Sequence, residues 1–264
     1  MVLDLGRVFG ARVRDSVRPE ISAFLRECFS GPTGRVQPTD YAAMRSDETV
    51  DWLLKVGALL EVEPESGVFT FATPLARRYF AKLAFPDRAA DNPGCVRELV
   101  ERAIQRMSAS KLATATLPSA AGASAFPKET TFQREFRKGL MESTSSSCSV
   151  CDDLSRTSGE PHPNDGELDF YVVNGELRWG VELLVGGDRI GEHMRRFGPE
   201  GRYKCIDLHD YMVVDFRQSA GGQPTRVMAC EKKITVFFSA DGNFTRCTCL
   251  FETDTQPLEL TLSP

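Results

Sequence analysis

One apolar run constrains this chain more than any other stretch: Leu177 to Val185, reading LRWGVELLV, with Glu182 set inside it. A run this apolar has no face to give to water, so it is predicted to be a strand central in a sheet covered on both sides. Just upstream, Asp169 opens a second strand-like run, Phe170-Tyr171-Val172-Val173. Asn174-Gly175 is read as the two positive-φ residues of the tight turn that joins the runs. Glu182 is then the costly residue, because a carboxylate buried in a strand must be paired. Two arrangements satisfy it. One is a divalent metal shared with Asp169 at the start of the neighbouring strand; the other is an arginine, with Arg178, Arg189 and Arg195 as candidates.

The elements expected around this hairpin are those of an α/β domain. Val96 to Met107 carries Val96, Leu99, Val100, Ala103, Ile104 and Met107 at helical spacing. Ser108 to Ala125 is rich in small residues and is read as a mobile loop. Pro127 begins a helix through Met141, with Phe132, Phe136 and Leu140 inward. Ser149 to Leu154 is read as a short strand in an otherwise irregular segment. After the hairpin, Gly186-Gly187-Asp188 breaks the strand and caps a helix through Ile190, Met194 and Phe197, which Gly198-Pro199 ends. Tyr211 to Phe216, Ile234 to Phe238 and Cys247 to Phe251 are further strands, the last two joined at Asp241-Gly242. A helix, hairpin, helix, strand order predicts a mixed sheet with helices on its faces.

Residues 1–87 read as a separate small helical, winged-helix-like unit. Val13, Val17, Ile21, Phe24, Leu25 and Cys28 recur at helical spacing before Gly31-Pro32, and a second helix is expected from Ser46 to Lys55. Leu59 to Val62 and Val68 to Phe71 form a hairpin across Pro64 to Gly67, and a last helix follows Thr73-Pro74. Such a unit either contacts DNA, through Arg45, Lys55, Arg77, Arg78 and Lys82, or packs as a passive module. The cations are matched by acids, which favours packing. Asp87 to Asn92 is the expected linker, and residues 93–264 the second domain.

A formal net charge of -5 over 264 residues, concentrated after residue 90, argues against a generally basic nucleic-acid binder. No apolar run has membrane-spanning length, and Met1 to Arg7 contains no apolar core of signal-peptide length. Eight cysteines suit a reducing compartment rather than a disulfide scaffold. Cys148 and Cys151 form one close pair and Cys247 and Cys249 another, so the four stand either as free thiols or as a tetrahedral zinc site. The chain contains no phosphate-binding G-x-x-x-x-G-K-[ST], no G-x-S-x-G and no H-E-x-x-H.

An acid at a strand start, a hairpin, then an acid within the next strand resembles the PD-(D/E)xK nuclease core. The wider wording is similar to the C-terminal nuclease-like domain of Crinkler-type effector proteins of oomycetes and fungi, over roughly Asn92 to Pro264. The resemblance lies in PKETTFQREF from Pro127 to Phe136, GELDFY from Gly166, WGVELL from Trp179, Glu192-His193 and Arg196-Phe197. It implies a restriction-endonuclease-like mixed sheet flanked by helices, and a metal-dependent endonuclease acting on DNA or RNA. The same resemblance implies Mg2+ or Mn2+ held by Asp169, Glu182 and the first-helix acid Glu129, and a role for His193, which is otherwise a packed or surface residue. It also implies a secreted protein that acts in the host cell, commonly in the host nucleus, although the translocation header usual in that family is not seen here.

The resemblance breaks at one position. A lysine two residues after the strand acid orients water or neutralises the transition state in such enzymes, and Leu184 stands there. Either another cation reaches the same point, with Lys204 preferred over Lys128, or the fold survives as a catalytically degenerate module that binds a host protein or a nucleic acid.

Overall fold

The computed structural model describes residues 24–26, 29, 47–62, 69–85, 88–115, 126–154, 168–187, 189–219, 231–239, 242–251 and 253–264. The chain divides into two compact units, Met1–Arg88 and Ala89–Pro264. In the first, helix α1 (Asp47–Lys55) precedes strands β1 (Leu59–Glu61) and β2 (Phe69–Phe71), which pair antiparallel, and helix α2 (Pro74–Ala84) follows. Thr73 caps α2 by accepting a bond from the Ala76 amide, with Pro74 in the first turn, where its missing N–H costs nothing. Phe29 stacks on Phe71 at 4.7 Å in a core shared with Leu53 and Phe80. The expected first helix through Val13, Val17 and Ile21, Cys28, Arg45 and the Pro64 to Gly67 turn lie outside the described residues.

The second unit is a mixed α/β domain. Helices α3 (Val96–Arg106), α4 (Ala109–Thr114) and α5 (Glu129–Ser143) lead into strands β3 (Ser149–Leu154), β4 (Leu168–Asn174) and β5 (Leu177–Val185). Helix α6 (Ile190–Arg196) then precedes β6 (Asp210–Gln218), β7 (Lys233–Phe238), β8 (Arg246–Phe251) and β9 (Leu258–Thr261). The seven strands line up in chain order, with β5, β6 and β7 parallel to one another and the other pairings antiparallel. Strand β5 is therefore interior, as its apolar run requires. Side chains alternate across the sheet. Trp179, Val181 and Leu183 of β5 join Met212, Val214 and Phe216 of β6 in one large core under α3 and α5. Leu184 and Val213 meet Ile190 of α6 on the other side.

Four expectations are corrected. The hairpin turn is Gly175-Glu176, because Asn174 pairs with Leu177 inside the ladder; Gly175 has φ 61, while Asn174 has no positive φ. One glycine at the first central position suffices for a II′ turn. The small-residue segment from Ser108 is helical at its start, as α4, with Ser108 capping through the Lys111 amide; residues 116–125 lie outside the described residues. The N-cap position of α6 is taken by Arg189 at φ 53, and Asp188, the expected cap, lies outside the described residues. A four-cysteine zinc site is ruled out by strand order: Cys151 is on β3 and Cys247 and Cys249 on β8, five places apart and so about 24 Å. Asp87 is outside the described residues, Arg88 ends the first unit, and Ala89 to Asn92 of the expected linker belong to the second. Ala89 donates to the Glu142 carbonyl and Asn92 accepts from the Ser145 amide. Among the described residues no helix is long and apolar enough to cross a membrane.

Candidate carboxylate centre

Glu182 is 1% exposed, and the surrounding elements converge on its carboxylate. Helix α6 supplies two donors from one face, since residues three apart are neighbours on a helix. His193 Nδ1 lies 2.5 Å from Glu182 Oε2. A carboxylate only accepts, so this nitrogen carries the proton. Arg196 Nη1 donates to the same oxygen at 3.3 Å and to Oε1 at 3.5 Å, while its Nη2 reaches Glu192 at 3.2 Å. The Tyr203 hydroxyl donates to Oε1.

Tyr203 arrives because the chain folds back at the end of α6. Its amide donates to the Arg196 carbonyl, and Gly201 lies so close that a Cβ there would fall 2.1 Å from that carbonyl oxygen. Only glycine permits that approach. Burial, reinforced by the negative charge of Glu182, pushes the Tyr203 hydroxyl well above its ordinary pKa and keeps it a donor. Burial opposes the Arg196 charge, but Glu182 and the bonds to Tyr203 and Glu192 outweigh it and raise its pKa.

Asp169 is held separately. Its Oδ2 accepts from the Leu183 amide at 2.7 Å and its Oδ1 from Gln133 Nε2 at 3.2 Å. The same Gln133 amide reaches Glu129 Oε1 at 3.3 Å, so α5 ties both acids to one side chain. Partial burial raises the Glu129 carboxyl pKa; His193, Arg189 and Arg196 oppose that rise and Glu182 adds to it. Glu129, Asp169, Glu182 and His193 thus belong to one electrostatic neighbourhood.

Lys204 does not join them. It faces Glu200 at 3.5 Å in an exposed pair. Lys128 occupies the N-cap position of α5 and is exposed. Leu184 packs against Ile190 and Val213. The arginine that pairs with Glu182 is Arg196, not Arg178, Arg189 or Arg195: Arg178 pairs with Asp207 at 2.9 Å, Arg189 approaches Glu192 at 4.0 Å, and Arg195 bonds the Gly191 carbonyl.

Further charges lie buried on the face of the sheet that carries Glu182. Glu182, Val213 and Lys233 form one row across β5, β6 and β7, and Lys233 is 1% exposed. One row further, Asp215 is fully buried. Its Oδ2 accepts from Arg217 at 2.6 Å and its Oδ1 is buried without a hydrogen-bond partner. Burial raises the Asp215 pKa, against the pull of Arg217 and Lys233. Asp215 carries the same signal as Glu182, a charge inside an apolar strand; Lys233, at the start of β7 after Glu231 and Lys232, does not. Tyr203 and Gln133 carry no such signal, since they reach the centre through a loop and from a helix flank.

Among the described residues no three His, Cys, Asp or Glu side chains stand together at metal-ligating spacing. In this arrangement both Glu182 oxygens are engaged, and the Arg196 guanidinium supplies the positive charge that a divalent ion would bring. The set fits a cation only if those donors move aside. Comparison of the chain with protein-family models, with curated proteins and with solved structures finds no match to any of them.

Proposed function

We propose that the second unit is a nuclease-like module of the Crinkler type, with α5, β3, β4, β5, α6 and β6 as a restriction-endonuclease-like core, acting by binding a nucleic acid or a host protein. The first unit is a winged-helix-like packing module. By its resemblance the protein is secreted and works in the host cell, in the nucleus among other places. The observation that carries the binding reading is the closed Glu182 cluster: Tyr203, His193 and Arg196 occupy both carboxylate oxygens, and an apolar Leu184 stands where a catalytic lysine is needed. A buried ion cluster of this kind organises structure, and breaking it costs more than opening an exposed pair.

A second reading, a metal-dependent endonuclease, is favoured by Gln133, which bonds both Glu129 and Asp169. In that reading Asp169, Glu182 and Glu129 hold Mg2+ or Mn2+, which polarises the phosphoryl oxygen. One assay separates the two. DNA and RNA are incubated with the full chain and with an Asp169→Asn, Glu182→Gln variant, each with Mg2+ or Mn2+. Equal, background cleavage is expected. Cleavage by the parent that the double variant lacks would overturn the binding reading and establish the enzyme.

A further inference from the structure

The loop after α6 and the start of β6 form an open pocket of about 460 Å³ that meets the Glu182 cluster at Tyr203. That volume falls in the range of small-molecule sites, roughly 300–1,000 Å³. Three rings line it. Phe197 stacks on Tyr211 with centroids 4.0 Å apart and planes within 2°, and Tyr203 stands edge-on to Phe197 at 4.9 Å. Their packing against one another holds the wall in place, and the Tyr203 hydroxyl is directed to Glu182, so the ring rather than the hydroxyl serves the cavity.

The remaining polar lining carries two cations, Lys204 and Lys232, the His209 imidazole, and Asp210 as the one acid. Lys232 bonds Asp210 at 2.7 Å, which leaves Lys204 and His209 to meet a ligand. Among the described residues Lys204 pairs with the exposed Glu200 alone, at 3.5 Å, an ion pair of little energy. Among the described residues the His209 imidazole bonds to nothing; only its backbone amide is used, donating to the Arg178 carbonyl. A ring wall next to a weakly paired lysine and an imidazole is the combination that recognises a base and its phosphate, by stacking and by hydrogen bonds that the lysine charge strengthens.

We infer that this cavity binds a nucleoside monophosphate, either free or as the phosphorylated end of a strand, with the base against the aromatic wall and the phosphate at Lys204 and His209. Lys204, conspicuous in the sequence beyond the α6 helix, thereby has a ligand of its own rather than a place at the carboxylates. Binding here requires no cleavage and no metal, so this inference and the reading of the carboxylate centre fail independently.

The test is calorimetric titration of the full chain at low salt with AMP, adenosine, ribose 5-phosphate and a 5′-phosphorylated dinucleotide. AMP should bind at least about tenfold tighter than adenosine or ribose 5-phosphate, since each lacks one of the two contacts. A Lys204→Met, His209→Gln variant should lose about tenfold or more for AMP, keep its affinity for adenosine, and melt at the parent temperature because both side chains are exposed. Tighter binding of the dinucleotide than of AMP assigns the strand end; equal binding assigns the free nucleotide. No AMP binding at millimolar concentration, ribose 5-phosphate binding as well as AMP, or an unchanged affinity in the variant would each overturn the inference.

Discussion

The two faces of the seven-stranded sheet bury their side chains with different chemistry. Under α3 and α5, Phe132, Phe136, Phe216 and Phe238 are fully buried among aliphatic neighbours, and Phe132 stacks on Phe216 at 4.3 Å. On the opposite face Glu182, Asp215, Lys233 and His193 are buried, and the apolar cluster there is small: Leu184, Ile190 and Val213. The first face is held by area and shape, which are non-directional and tolerate exchange of one apolar residue for another of similar volume. The second is held by paired charges whose removal one at a time leaves partners stranded. A fold can be secured by the first kind of face alone.

The largest effect is expected from breaking the apolar face. Phe216→Ala removes the ring that stacks on Phe132 and meets Phe136 and Phe238, and should cost about 4 kcal/mol in denaturant unfolding. A loss under about 1 kcal/mol would mean that this face is not the main support of the sheet. Next comes Glu182→Ala, which strands Arg196, His193 and Tyr203 and should cost about 3 kcal/mol. Replacing the group together, with Glu182→Leu, His193→Leu and Arg196→Met, should cost less than the single change, because no unpaired charge remains. Losses that simply add across the three positions would show that the charges are not coupled, and the contrast between the faces would lose its basis.

The smallest effect is a pH dependence at Asp215. Burial raises its carboxyl pKa above the ordinary value, so the native state keeps that proton to higher pH than the unfolded chain does. The stability it contributes is full below the ordinary carboxylate pKa and is lost as pH rises through the raised value. Asp215→Asn cannot ionise. Its melting temperature relative to the parent should therefore climb across that window. A difference that stays flat or falls with pH would mean that Arg217 holds Asp215 ionised throughout, making this an ordinary ion pair on the polar face.

Much of the second unit was legible in the sequence. Hydrophobic period and turn residues located α3, α5 and β3 to β8 to within a few residues, and the density of apolar residues in Leu177 to Val185 already placed that strand inside the sheet with Glu182 buried. Strand β9 escaped, because LELT offers only a short alternation at the edge of the sheet. Helix α4 escaped because a run of small residues favours neither helix nor loop until Leu112 docks in the core. Asp215 was visible as a charge in an apolar strand, yet its significance and that of Lys233 depend on the order β5, β6, β7 across the sheet, which the order of residues along a chain does not state.

Local composition by itself determined which residues enter strands and helices and that Glu182 must find partners, since periodicity and desolvation act on neighbours along the chain. Only the tertiary structure decided which partners those are. Four arginines near Glu182 differ little as sequence, but the turn of α6 sets Arg196 beneath His193 and leaves Arg189 and Arg195 outward. The close approach at Gly201 then brings in Tyr203 from twenty-one residues away along the chain. A buried charge selects its partner by distance and direction in space, and spacing in sequence constrains those only within a single helix or strand.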